Sequence, residues 1–217
     1  MVVTNYFQIG NLSAPSSWIA FMVGVVLAYV AVRVRFGKPQ GDRVADAFFT
    51  LVLVWKFSIL LTDFKSVLRS PLAFIYFDGG TIGFFLGLLV IAVKVLWDWK
   101  KGRLSIRAMH ALFTGAVIAQ VLYQVMMVVL NDGEWVAQVV TVLFFGLFLF
   151  YFWLDSRNAK DMRSVIWLFM AVHLFVATVQ PKGLAGAAFG ATLVLGLFFW
   201  LFYAKGYRTV DEVEEHT

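Results

Sequence analysis

The chain has 217 residues, of which 61% are hydrophobic and only 14% are charged, and its formal net charge is +5. Soluble domains are about 45–50% apolar and about 25% charged, so this composition excludes an ordinary soluble globular domain. Cysteine is absent, which excludes disulfide frameworks, thiolate metal sites and thiol redox chemistry. In a membrane protein the basic excess marks loops on one side of the bilayer, so we predict no nucleic-acid partner.

Seven apolar segments are predicted to be membrane-spanning helices. In chain order they lie near residues 18–35, 47–62, 81–97, 107–130, 135–154, 163–180 and 184–204. No basic residue precedes the first segment, whereas a cleavable signal peptide would carry one, so this segment is predicted to be a retained helix. We therefore predict an all-α, polytopic integral membrane protein that forms a single transmembrane domain over residues 1–217.

The basic residues predict the orientation of these helices. Thirteen lysines and arginines lie in the tail and in the connections near 33–46, 98–107 and 155–163, whereas the opposite connections hold only three. Loops rich in lysine and arginine stay on the cytoplasmic side of a membrane. The N-terminus is therefore expected outside the cytoplasm and the C-terminus inside.

The connection between the second and third predicted helices is not simply polar. Residues 71–77 are apolar and aromatic, and Asp78-Gly79-Gly80 follows them. An apolar stretch too short to span, beside two glycines, is typical of a re-entrant element or of an outer loop lying in the headgroup layer. The sequence leaves both alternatives open.

Placing an ionisable side chain inside a bilayer costs free energy, so each such residue is a candidate functional residue. Lys56 lies within the second predicted helix and should seek an anion, and Asp78 is the nearest candidate in sequence. This pair either belongs to a binding site or only joins two helices. His173 and Asp78 are the candidate general bases. Of the two, only His173 has a side chain that in its free form titrates near neutral pH.

The fourth predicted helix has a polar face, because helical spacing places Gln120, Tyr123, Gln124 and Asn131 on one side. These side chains either form hydrogen bonds between helices or line a polar cavity. The similar predicted depth of Lys56 and His173 favours the cavity. The chain has no HExxH, GxSxG or glycine-rich phosphate loop, so we predict neither a metal nor a cofactor.

The order of residues resembles bacterial prolipoprotein diacylglyceryl transferase. The resemblance lies in Ser70-Pro71-Leu72, in Phe77-Asp78-Gly79-Gly80-Thr81-Ile82-Gly83 and in the basic turn Lys100-Lys101. The opening segment Ile9-Gly10-Asn11 and the stretch 155–182 are also similar, so the resemblance spans nearly the whole chain. That family has seven helices with the N-terminus outside and a cavity open to the outer leaflet. It transfers a diacylglyceryl group from phosphatidylglycerol to the cysteine of a lipoprotein precursor.

The chain differs from this family at the main catalytic motifs. Asp78 replaces a histidine of the family, while Lys56 and His173 each replace an arginine. The motif Gly-Arg-Ile-Gly-Asn-Phe-Ile-Asn-Gly-Glu is missing around 120–134. The resemblance implies a divergent member in the bacterial cytoplasmic (inner) membrane whose partners are an anionic phospholipid, phosphatidylglycerol, and a lipoprotein precursor. It implies lipid binding by Lys56, Gln120, Tyr123 and Gln124, and, where transfer is retained, catalysis by Asp78 and His173.

Two other functions remain open. The chain is alternatively a non-catalytic membrane scaffold or accessory subunit that keeps the fold. A small-molecule transporter has less support, because the sequence lacks the inverted halves and paired broken helices of many transporters.

Overall fold

The computed structural model describes residues 2–10, 12–64, 68, 78–155 and 162–206. In this part of the chain, seven helices are long and apolar enough to cross a membrane, which confirms the predicted number. The helices are α1 (Ser16–Phe36), α2 (Lys38–Phe57) with its short continuation α3 (Ile59–Thr62), α4 (Gly80–Lys100), α5 (Ile106–Val129), α6 (Trp135–Asp155), α7 (Met162–Val179) and α8 (Ala187–Gly206). The protein is therefore a multi-pass membrane protein.

The apolar stretch 71–77, for which a re-entrant element and an outer loop were the alternatives, lies outside the described residues.

A short β-hairpin precedes α1 and was not among the predicted elements. Strand β1 (Tyr6–Ile9) pairs antiparallel with β2 (Leu12–Pro15), so that Tyr6 lies opposite Pro15. Each strand has only four residues, which is too short for an alternating pattern to stand out in the sequence. Helix α1 begins directly after β2, at Ser16.

Helices α1 and α2 are separated by the single residue Gly37. Its φ of +89° is strained for a residue with a side chain, and its N–H donates to the Arg33 carbonyl at 3.0 Å. Pro39 then lies in the first turn of α2, where the missing N–H would have no helical partner in any case. The sequence Gly37-Lys38-Pro39 thus ends one helix and begins the next.

The chain divides into two compact units. The first unit contains Met1–Ala28 and Ala116–Thr217, and the second contains Tyr29–Gly115. The division falls within α1 and within α5.

In the second unit, α2 and α4 pack closely along glycines of α4. A Cβ on Gly83 would overlap the Ser58 hydroxyl, and a Cβ on Gly87 would lie 2.6 Å from a Leu51 methyl group. Small residues let helix backbones approach where no hydrophobic effect drives helices together. The close contact therefore depends on the missing side chains.

In the first unit, the core is built from phenylalanines of α6 and α7. The Phe148 ring stacks on Phe152 at 5.9 Å and on Phe169 at 5.5 Å between ring centroids. Phe145, Phe152 and Phe169 are fully buried. These rings hold the two helices on which part of the candidate site lies.

Candidate functional site

The six predicted site residues fall in both units. Lys56 and Asp78 belong to the second unit, whereas Gln120, Tyr123, Gln124 and His173 belong to the first.

In the second unit, Lys56 and Asp78 lie together. Lys56 is half-buried in the last turn of α2, and Asp78 is half-buried just before α4. The Asp78 carboxylate acts electrostatically on the Lys56 ammonium group. The Asp78 Oδ1 atom also accepts a 2.8 Å hydrogen bond from the Gly80 N–H. Asp78 therefore has a structural role as a turn former at the start of α4, besides its charge.

Trp55 fixes the position of this pair. Its indole Nε1 donates to the Gly80 carbonyl at 3.0 Å, and its own carbonyl accepts the Gly79 N–H at 3.0 Å. The Ser58 hydroxyl donates to the same Trp55 carbonyl at 2.7 Å. We call these four residues the α2–α4 junction. It holds the end of α2, and with it Lys56, against the glycine-rich start of α4.

In the first unit, Gln124 lies in a group of polar side chains that we call the amide cluster, together with Thr141 and Gln180. The Gln180 Nε2 group donates to the Gln124 Oε1 atom at 3.3 Å and to the Thr141 hydroxyl oxygen at 3.2 Å. These residues come from α5, from α6 and from the position just after α7. The predicted polar face of the fourth helix therefore makes contacts between helices.

Gln124 is the unusual member of the amide cluster, because it is only 1% exposed and its Nε2 group has no hydrogen-bond acceptor. Rotating the amide by half a turn would place its NH₂ group against the NH₂ group of Gln180. A buried amide without its partner costs about 1–3 kcal/mol. The amide cluster is therefore incompletely satisfied.

Gln120 and Tyr123 lie on the same helix but have different surroundings. The Gln120 Nε2 group donates to the Ala188 carbonyl of α8 at 2.8 Å, so Gln120 joins α5 to α8. Tyr123 is half-buried in α5.

His173 lies in an aromatic environment within the core. It is 1% exposed, its Nδ1 atom lies 2.6 Å from the Thr192 hydroxyl oxygen of α8, and its ring has edge contacts with Phe145 and Phe189. One ring nitrogen is thus engaged within the protein. The contacts of His173 are those of a residue that joins α7 to α8.

Asn131, the last residue of the predicted polar face, connects α5 to the N-terminal hairpin. Its Oδ1 atom accepts from the Thr4 N–H at 2.7 Å, the Asn5 N–H at 3.3 Å and the Ser16 hydroxyl at 2.7 Å. Its Nδ2 group donates to the Met127 carbonyl at 2.9 Å. Of the two interpretations of this face, Asn131 supports hydrogen bonding between segments of the chain.

Sequence reasoning missed three residues that carry these arrangements: Trp55, Thr141 and Gln180. A polar residue that follows an apolar helix, as Gln180 does, is a signal that could have found one of them. The indole of Trp55 gives no such signal, because tryptophan is also common at membrane interfaces. Among the described residues, no group of three or more His, Asp or Glu side chains is arranged to hold a metal ion.

Comparison with known proteins finds no match to this chain among protein-family models, curated proteins or solved structures.

Proposed function

We propose that this protein is a divergent relative of prolipoprotein diacylglyceryl transferase that binds an anionic phospholipid, phosphatidylglycerol, through Lys56. It resides in the cytoplasmic membrane of a bacterium, with the N-terminus outside and the C-terminus inside. The orientation is supported by the distribution of lysine and arginine between the connections.

The α2–α4 junction carries this proposal. Residues 78–83, which carry the strongest part of the resemblance, are held against the end of α2 beside Lys56. A lysine ammonium group is a compact charge that binds phosphate without the planar fork of arginine. Asp78 interacts with Lys56, so a phosphate would compete with this carboxylate for the ammonium group.

A binding measurement tests the proposal. The purified protein in nanodiscs is offered labelled phosphatidylglycerol, and the Lys56→Gln variant is compared with Lys182→Gln. Lys182 is an exposed lysine expected on the same side of the membrane, so its replacement removes an equal charge. We expect Lys56→Gln to weaken lipid binding and Lys182→Gln to leave it unchanged. Equal binding by both variants would contradict a role of Lys56.

The same preparation tests the transfer of the diacylglyceryl group. A peptide with the acceptor cysteine of a lipoprotein precursor is added, and the label on the peptide is followed. Transfer that is lost in Lys56→Gln but kept in Lys182→Gln supports a working transferase. Binding without transfer supports a lipid-binding protein that has lost the chemistry.

A non-catalytic scaffold or accessory subunit is the second candidate. It is favoured by the structural contacts of both candidate catalytic residues, since Asp78 accepts from the Gly80 N–H and His173 contacts Thr192 and two buried phenylalanines. This function predicts that His173→Ala and Thr192→Val lower thermal stability and that their effects overlap in the double variant. The interhelical hydrogen bond itself should contribute about 0.6 kcal/mol, as is usual in membranes.

Co-purification of a partner protein tests the scaffold function. A partner that co-purifies in equal amounts with the wild type and with Lys56→Gln, in the absence of lipid transfer, supports it. Lipid transfer by the wild type that is lost in a His173 variant of unchanged stability would contradict it, because a non-catalytic scaffold transfers no lipid.

A further inference from the structure

One end of the second unit is strongly basic. It comprises residues 33–46 and 98–107, which contain the α1–α2 and α4–α5 connections and the helix ends beside them, and we call it the basic end. Its residues include eight lysines and arginines but only three carboxylates. The basic residues are Arg33, Arg35, Lys38, Arg43, Lys100, Lys101, Arg103 and Arg107, and the acidic residues are Asp42, Asp46 and Asp98.

Two hydrogen bonds join the two segments of the basic end, residues 33–46 and residues 98–107. The Arg43 guanidinium of α2 donates to the Arg103 carbonyl at 3.4 Å, and the Arg107 guanidinium of α5 donates to the Phe36 carbonyl at 3.4 Å. The start of α2 and the start of α5 thus each supply an arginine to a backbone carbonyl beside the other. The Phe36 carbonyl lies at the C-terminus of α1, where the helix dipole also favours a cation.

Buried apolar residues support this arrangement. Val32, Val44 and Ala111, from α1, α2 and α5, form one buried cluster, against which Phe36 and Phe48 pack. Because these contacts fix the helix ends that bear the arginines, the positive charges stay close together despite their mutual repulsion. Hydrophobic burial therefore holds a concentrated positive charge in place.

The carboxylates of the basic end offset only part of this charge. Asp42 is bound by Lys38 at 2.8 Å, and Asp98 lies 3.8 Å from Arg103. The side chains of Arg33, Arg43 and Arg107 are exposed. A bound polyanion would remove the remaining repulsion between these guanidinium groups.

The aromatic residues of the basic end match a position in the lipid headgroup layer. The Lys101 ammonium lies 4.5 Å from the centroid of the Trp97 ring, and the Arg33 guanidinium lies 5.8 Å from that of Tyr29. Tryptophan and tyrosine beside basic side chains are typical of the membrane–water interface. At such an interface, lipid phosphates are anions that this surface can meet.

We propose that the basic end binds a glycerophospholipid with two phosphate groups, as in cardiolipin. A single phosphate needs one guanidinium fork, whereas the basic end presents exposed arginines on separate helices, Arg33 on α1, Arg43 on α2 and Arg107 on α5, and so offers a guanidinium group to each of two phosphates. The site is distinct from Lys56 and rests on the proposed function only for the lipid environment. In the proposed orientation it faces the cytoplasmic leaflet.

Lipid retention tests this proposal. The protein is purified in detergent, equilibrated with cardiolipin or with phosphatidylglycerol at equal total negative charge, and examined by native mass spectrometry. We expect selective retention of cardiolipin. The Arg43→Gln/Arg107→Gln variant should lose about tenfold or more in cardiolipin affinity, because it removes two charge-assisted contacts. Arg163→Gln, which removes an exposed charge of the first unit, should have no effect.

A lysine double variant and a competition with pyrophosphate test the proposal further. Arg43→Lys/Arg107→Lys preserves charge without the planar fork, so we expect a stable protein with intermediate cardiolipin affinity. Inorganic pyrophosphate is added as a soluble source of the same chemistry, and we expect it not to displace cardiolipin. Equal retention of both lipids, or displacement by pyrophosphate, would overturn the assignment to a diphosphate lipid. Neither result depends on Lys56, so the failure of one proposal is distinguishable from the failure of the other.

Discussion

The Ser16 hydroxyl donates a 2.7 Å hydrogen bond to the Asn131 Oδ1 atom, which lies 115 positions further along the chain. Ser16 is the first residue of α1, and Asn131 follows α5, so one side chain connects the beginning of the chain to its middle. Asn131 is 5% exposed and receives two backbone N–H groups as well. Its amide is therefore the anchor of the N-terminal hairpin.

Replacing Asn131 by Leu should destabilise the protein. The substitution leaves the Thr4 N–H, the Asn5 N–H and the Ser16 hydroxyl without their acceptor, and a buried polar group without a partner costs about 1–3 kcal/mol. Ser16→Ala removes only one donor and should cost less. Thermal unfolding in nanodiscs measures both, and limited proteolysis reports the release of the hairpin. Equal stability of Asn131→Leu and the wild type would show that the Asn131 hydrogen bonds do not contribute to the stability of the fold.

Adding a methyl group at Gly83 should separate α2 from α4. The new Cβ overlaps the Ser58 hydroxyl and lies 3.1 Å from the Trp55 carbonyl oxygen, so Gly83→Ala should cost about 1–3 kcal/mol. Gly146 of α6 is the matched control, because its Cβ would meet no atom within 4 Å. Gly146→Ala should be neutral, or stabilising by about 1 kcal/mol through helix propensity. The comparison uses unfolding in the same detergent, and equal effects of the two substitutions would contradict the close approach.

The two glutamines of α5 should respond differently to the same substitution. Gln120→Met removes a satisfied interhelical hydrogen bond and should cost about 0.6 kcal/mol. Gln124→Met removes one 3.3 Å hydrogen bond from Gln180 but also removes a buried Nε2 group that has no acceptor, so stability should stay constant or rise. Thermal unfolding of the two variants measures the difference. A greater loss with Gln124→Met than with Gln120→Met would show that the hydrogen bond from Gln180 outweighs the cost of the unpartnered Nε2 group.

The orientation in the membrane can be measured without background, because the chain contains no cysteine. Ser13→Cys lies in the hairpin before α1 and Lys101→Cys lies after α4, and both positions are exposed. In intact cells, a membrane-impermeant maleimide should label Ser13→Cys and not Lys101→Cys. Permeabilised cells should show labelling of both variants. The reverse pattern in intact cells would invert the proposed topology.

The membrane character and the seven helices were predictable from the sequence, because both follow from the length of uninterrupted apolar segments. The breaks between helices are equally local, as Gly37 and Pro39 show between α1 and α2. The polar face of α5 also followed from spacing alone, and the structure places Gln120, Gln124 and Asn131 in hydrogen bonds to other segments.

The partners of these side chains follow from the packing of the helices and not from spacing in the sequence. Gln180 reaches Gln124 across 56 positions and Thr141 across 39, and Asn131 reaches Thr4 across 127. Packing also brings Arg43 of α2 and Arg107 of α5 into one basic end. Apolar length and helix breaks depend on neighbours in the chain. A hydrogen bond or a charge cluster depends on distance in space, which packing between helices sets.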